Sequence, residues 1–251
     1  LQTSLLNKYC DARLPWYTIY PTVPDFSATF GAKTCELWLR RLPPDEPVSL
    51  YIHVPFCPSI CWYCGFPTSL TRNERPIRNY LAAIHEEIRL VAERAPRALP
   101  ASDLHFGGGT PTTIGGNAFL ALMKLLRRHF AFRKPATIAI EIDPRAFTAE
   151  MIETLQEVGV NRASIGVQSF APLVQRSVNR VQSELQTASV GKSSPAWGKL
   201  HQFRPSVLAS ASVGAVVRGV GANGSGDAAR PACRFWLCAR PLLHKASAPD
   251  R

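Results

Sequence analysis

The 251-residue sequence predicts an α/β fold: a partial β/α barrel between an irregular N-terminal arm and a low-order C-terminal tail. Three observations predict it. From Leu50 to Val167, β-type runs alternate with segments of helical period, at the roughly 30 residues per unit expected of parallel strands joined by crossover helices, about four βα units in all. Polar or glycine-rich groups stand at the end of each run, where folds of this kind assemble their chemistry. After about Gln182 the alternation stops.

Residues 1–48 form the irregular arm, with one short helix expected in it, and Pro15, Trp16, Tyr17, Tyr20 and Pro21 crowd together there. Residues 50–54 read as a strand, stopped by Pro55, which has no N–H for a ladder. Ile77, Tyr80, Leu81, Ile84, Ile88 and Val91 then recur at three- and four-residue steps, the face of a helix with Pro76 in its first turn. A second strand, residues 103–106, runs into Gly107, Gly108, Gly109, Thr110 and Pro111. Asn117 is the expected cap of the next helix, with Phe119, Leu122, Met123, Leu126 and Phe130 on one face. Strand 137–141, helix 148–158 closed by Gly159, and strand 162–167 complete a core spanning residues 49–182. Residues 183–251 are Ser, Ala, Gly, Arg and Pro without sustained period. The tail is therefore read as low-complexity and disordered, or as the product of a truncation or frameshift after about residue 182.

Hydrophobic residues make up 46% and charged residues 19%, as in an ordinary globular protein. No apolar run reaches the ~18 residues of a membrane span, and residues 1–9 lack the basic-then-apolar order of a secretory signal. The expected compartment is the cytoplasm. The net charge of +11 does not argue for nucleic acid, because residues 183–251 hold nine basic against three acidic side chains. Elsewhere the charges interleave, as at Arg78, Glu86, Glu87 and Arg89, in the manner of solvated helix faces. The seven cysteines are odd in number, and three fall at 57, 61 and 64. That crowding is the spacing of a metal or redox site, not of a disulfide framework.

Cys57, Cys61 and Cys64 offer three thiolates from one loop, whereas a full cysteine cage around a 4Fe-4S cluster uses four. Three ligands leave one iron open to a small chelating molecule. A zinc site of three cysteines and His53 is the competing reading. Glycines 107–109 allow close backbone approach, and Glu141, Asp143 and Gln168 stand at or just past strand ends.

The cysteine loop, with residues 51–56 before it and Trp62 and Tyr63 inside it, resembles the radical-SAM superfamily, and Gly107 to Pro111 resembles its methionine-binding segment. The partial barrel is then of the radical-SAM kind. Residues 16–22, 104–106, 140–145, 161–170 and 178–180 further resemble oxygen-independent coproporphyrinogen III oxidases, over a span from about Lys8 to about Gln182. The resemblance implies a 4Fe-4S cluster on Cys57, Cys61 and Cys64, and S-adenosyl-L-methionine lined by Tyr51, Tyr63, Gly108, Gly109, Thr110, Glu141, Gln168 and Arg180. It assigns no role to Arg145. The implied reaction is oxidative decarboxylation of two propionates of coproporphyrinogen III to vinyl groups, giving protoporphyrinogen IX in haem biosynthesis with S-adenosylmethionine consumed. The partners implied are the porphyrinogen substrate and an unidentified electron donor, with no nucleic acid, no membrane span and a monomeric state.

The sequence departs from the family at two points. Phe66 stands where the family usually has a further cysteine, and residues 183–251 match none of the later strands or the C-terminal domain. An enzyme inactive as it stands is therefore expected. The alternatives are a radical-SAM-related haem chaperone and a non-catalytic fragment.

Overall fold

The computed structural model describes residues 31–192 and 234–237. The arm motif 16–22 and Cys10, Cys233 and Cys238 lie outside the described residues. Two units divide the chain, Leu1–Trp38 and Leu39–Arg251. In the first, the described residues form most of helix α1 (Ala32–Arg40).

Two-residue periodicity in the strands organises the second unit. Strand β1 (Val48–Val54) buries Val48, Leu50, Ile52 and Val54. After the short pair β2 (Phe56–Cys57) and β3 (Ser69–Leu70) come helix α2 (Glu74–Arg94), strand β4 (Pro100–Gly108), helix α3 (Gly116–His129), strand β5 (Ala131–Ile142), helix α4 (Ala149–Glu157) and strand β6 (Arg162–Ile165). Leu104 and Phe106 of β4 and Ile138, Ile140 and Ile142 of β5 join one core with Ile84 and Ile88 of α2 and Phe119, Leu122 and Leu126 of α3. The Phe106 and Phe119 rings meet at 4.6 Å between centroids. Residues of opposite parity, Tyr51 and His53, His105, Glu141 and Ser164, point from the other face of the sheet. One face is thus an apolar seat for helices, and the other carries the polar groups.

All strand pairs are parallel, in the order β6-β5-β4-β1, with Leu50 opposite Leu104, Phe106 opposite Ile140 and Ile142 opposite Ile165. This is the expected α/β winding of a partial β/α barrel, and the sheet does not close among the described residues. No helix among the described residues is long and apolar enough to cross a membrane.

Several local expectations shift. Asn117 does not cap α3; the cap is Gly115, at φ 82° after a 3-10 turn (Pro111–Ile114), so the helix begins one residue before Asn117. A positive φ is a conformation that glycine adopts freely and asparagine less so. Strand β5 starts six residues earlier than its apolar pattern, because residues 131–136 extend as mostly exposed backbone that carries no periodic signal. Strand β6 ends at Ile165 because the Gly166 carbonyl takes the Arg180 and Gln182 side chains instead of a ladder partner.

Helix α5 (Pro172–Ser177) escaped the sequence reading because it is shorter than two turns. Two further elements fall inside the stretch whose composition reads as a low-order tail. Helix α6 (Glu184–Lys192) places Thr187 and Val190 in buried positions. Strand β7 (Arg234–Leu237) pairs with β1, Ser49 opposite Arg234 and Ile52 opposite Leu237. Phe and Trp, at 235 and 236, are strand-favouring residue types, and the edge of β1 away from β4 is the place where a further strand can add to the ladder. The rest of residues 193–251 lies outside the described residues.

Candidate functional site

The polar face and the strand ends converge on a cavity of about 290 Å³. Cys57, Cys61, Tyr63, Cys64, Gly108, Gly109, Thr110, Glu141, Gln168 and Arg180 all line it. Of the residues that the resemblance assigns to the cofactors, Tyr51 alone does not. Its hydroxyl lies 3.3 Å from His53 Nδ1, and its ring stacks on His105 at 5.6 Å. His105 Nε2 in turn lies 3.3 Å from Glu141 Oε1, so Tyr51 backs the cavity wall through its neighbours.

Proline and glycine chemistry shapes the cysteine loop. Cys57 ends β2, where the Pro55 carbonyl accepts from Ser69 N–H at 2.6 Å and the Cys57 carbonyl from Thr71 N–H at 3.1 Å. The glycine segment docks on the end of β1 and on β2: Gly109 N–H donates to the Val54 carbonyl (2.8 Å) and Thr110 N–H to the Phe56 carbonyl (2.7 Å). A Cβ on Gly109 would sit 2.6 Å from Phe56 O and 3.0 Å from Cys57 Sγ, so only glycine fits there. Gly108 N–H donates to Glu141 Oε2 at 3.3 Å. The segment thus ties the ends of β1, β4 and β5 together through the N–H groups of Gly108 and Gly109, and holds β2 through Thr110 N–H.

The far side of the loop is pinned by residues 178–179. Trp62 N–H donates to the Val178 carbonyl at 3.1 Å, and Asn179 Nδ2 donates to the Ile60 carbonyl at 2.7 Å. Asn179 has φ 53°, a left-handed conformation that asparagine tolerates better than most residues.

The sequence missed how far Asp143 and Arg145 belong to the site. Asp143 Oδ2 accepts from Arg145 Nη2 at 2.6 Å and from Arg180 Nη1 at 3.2 Å. The same two guanidinium nitrogens each reach Cys61 Sγ at 3.3 Å. Asp143 was legible only as a polar residue after a strand, and Arg145 as part of a matching stretch. Ser164 and Gly166 also line the cavity without having been singled out.

Burial by itself would raise the Asp143 pKa, but the hydrogen bonds from Arg145 and the charge of Arg180 outweigh it and hold the carboxyl below its usual range. Burial pushes the Cys57 thiol up, partly offset by the Thr110 hydroxyl, which donates to its sulfur at 3.6 Å. Burial likewise raises the Tyr63 phenol, against the opposing pull of Arg180.

The donor set fits an iron–sulfur cluster better than a single ion. Among the described residues no three His, Cys, Asp or Glu side chains converge closely enough to hold one metal ion. A cluster instead spreads its thiolates over different irons, and three thiols lining one cavity suit that demand. His53, the fourth ligand of a zinc reading, lies near Tyr51 and, at 3.5 Å, the Pro67 carbonyl, and it does not line the cavity. Arg180 Nε is buried without a hydrogen-bond partner in the wall of this cavity, a donor left over for a bound group.

The family model described as Radical SAM superfamily matches residues 51–188, the segment that builds this cavity. The chain belongs to the radical SAM superfamily. A 4Fe-4S cluster and S-adenosylmethionine, the cofactors of that superfamily, are accordingly its cofactors. Among radical SAM relatives, the chain is 48% identical over 190 residues to an oxygen-independent coproporphyrinogen III oxidase of Bradyrhizobium diazoefficiens, covering 76% of this chain and 42% of the relative. It is 42% identical over 183 residues to the protein of that name from Escherichia coli, covering 72% of this chain and 39% of the relative. The solved structure of the Escherichia coli coproporphyrinogen III oxidase superposes with a TM-score of 0.67 at 40% identity, covering 76% of this chain and 42% of that one. The chain thus spans about two fifths of the length of these relatives.

Proposed function

We propose that this chain is the cofactor-binding part of an oxygen-independent coproporphyrinogen III oxidase, acting in the cytoplasm on a porphyrinogen whose propionates are decarboxylated to vinyl groups. The observation that carries the reading is the three-thiol cavity walled by the glycine segment, in a chain 48% identical to an oxidase of that name over 190 residues. The three free thiols suit a reducing compartment.

In this reading Cys57, Cys61 and Cys64 hold the cluster, and each must lose its proton to do so. When bound, the cluster and S-adenosylmethionine supply an electron and a carbon radical able to abstract hydrogen. The chain's own residues orient and enclose. Glu141 is an acceptor for the methionine ammonium, held by Gly108 N–H and His105. Tyr63, Gly109, Thr110 and Gln168 line the remaining wall, and Tyr51 supports it from behind. Arg180 offers its Nε proton to the nucleoside or carboxylate side of the ligand. Excluding water protects a reactive radical from side reactions.

A haem-carrying relative without oxidase activity is the second reading, favoured by Phe66, which lines the cavity with 63% of its surface exposed.

Anaerobic reconstitution followed by iron and sulfide analysis and electron paramagnetic resonance tests the assignment. About four irons per chain, a spectrum altered by S-adenosylmethionine and loss of both in Cys57→Ala support it. Zinc in place of iron, or an iron content that Cys57→Ala leaves unchanged, sinks it. Stoichiometric haem binding without decarboxylation selects the second reading.

A further inference from the structure

The three thiols do not share one environment. Cys57 Sγ meets a neutral hydroxyl, Thr110 Oγ1, at 3.6 Å. Cys61 Sγ meets two cations, Arg145 Nη2 and Arg180 Nη1, each at 3.3 Å. Both guanidiniums are tied to Asp143, whose side chain is 8% exposed, against 17% for Arg145 and 9% for Arg180. Two cations and one carboxylate leave a net positive charge beside Cys61, in surroundings where charge-assisted hydrogen bonds are strong and poorly screened.

Arg145 is built to stay there. Asp143 takes its Nε at 3.0 Å and its Nη2 at 2.6 Å, a two-toothed grip that fixes the guanidinium plane. Its Nη1 donates at 3.2 Å to the carbonyl of Asn179, the residue whose side chain pins the cysteine loop. Every nitrogen of Arg145 therefore has a protein partner, and one of those partners is the Cys61 sulfur.

We propose that Arg145, clamped by Asp143, is a positioning residue that sets the reduction potential of the cluster: with Arg180 it donates to Cys61 Sγ and favours the reduced, more negative state. The proposal rests on the cluster assignment above. Hydrogen bonds to the sulfurs and the local net charge are among the terms that set such potentials. Removing one donor and one positive charge must make the cluster harder to reduce.

The test is a redox titration of the reconstituted full chain and of Arg145→Met and Arg145→Lys, followed by paramagnetic resonance without S-adenosylmethionine. In Arg145→Met the reduced-to-oxidised ratio at a fixed ambient potential should fall about tenfold, equivalent to ~59 mV for one electron. Arg145→Lys, which keeps the charge but loses the fork, should fall between. In chains grown with ¹⁵N-arginine, the reduced cluster should show ¹⁵N hyperfine coupling that weakens in Arg145→Met, leaving the Arg180 contribution. An unchanged ratio in Arg145→Met at native iron content overturns the proposal, as does the absence of ¹⁵N coupling in the native chain. If Arg145→Met fails to take up iron, Arg145→Lys and the native ¹⁵N spectrum decide. A native chain that holds no cluster removes the cluster assignment first, and iron content distinguishes that failure from the failure of this inference alone.

Discussion

At Gly109 one hydrogen atom separates two docked loops: any Cβ would stand 2.6 Å from the Phe56 carbonyl oxygen, which is backbone and cannot rotate away. Gly109→Ala should therefore cost about 1–3 kcal/mol, the usual range for overpacking, and should displace Cys57. Thermal denaturation and iron content after reconstitution should both report it. Asp143 is a different case, because it is buried and offsets two cations, one buried and one half-buried. Asp143→Asn should cost about 3–5 kcal/mol in denaturant unfolding of the metal-free chain, the range for removing one partner of a buried ion pair. The sign of its pH dependence follows from its lowered pKa. A carboxyl lowered from 3.8 contributes its stability above that pH and loses it as pH falls through the lower folded value. The gap between native and Asp143→Asn should be constant near neutral pH and shrink on acidification below about 3.8.

Between elements, apolar seating and end chemistry contribute unequally. Thr148 caps α4 by accepting from Met151 N–H at 3.3 Å, and Thr148→Ala should cost about 1 kcal/mol. Leu122 is fully buried in α3, in the core shared with β4 and β5, and Leu122→Ala should cost about 2–5 kcal/mol. Chemical denaturation of the pair checks the ordering, and a larger loss at Thr148 would contradict it. The helices α2 and α3 were legible because each presents an apolar stripe at helical period, and α4 because Gly159 closes it. Helix α5 was not, since six residues give too few turns for a period to emerge.

For the whole molecule, the winding β1, β4, β5, β6 gathers the ends of β4, β5 and β6 and the cysteine loop that follows β1 on one cavity, and this is why residues from 57 to 180 can share a site. Reconstitution should give a cluster in this chain, while decarboxylation of coproporphyrinogen should rise sharply when residues 1–182 are joined to the remaining length of the Bradyrhizobium diazoefficiens oxidase; the fluorescence of the oxidised porphyrin product measures it. Equal activity in the two would show that the segment matched here carries the whole reaction.

By itself the sequence determined the βα alternation, the cysteine loop and the glycine segment, because each is written in neighbouring residues: a period, a spacing, a run. The tertiary structure alone decided that Asp143 would hold Arg145 and Arg180 against Cys61, that residues 178–179 would pin the loop at Ile60 and Trp62, and that Tyr51 would stand behind the cavity wall. Arg180 and Cys61 are 119 residues apart. No local pattern links such positions; only the parallel winding, which turns every strand end toward the same side, brings their charges within hydrogen-bond reach.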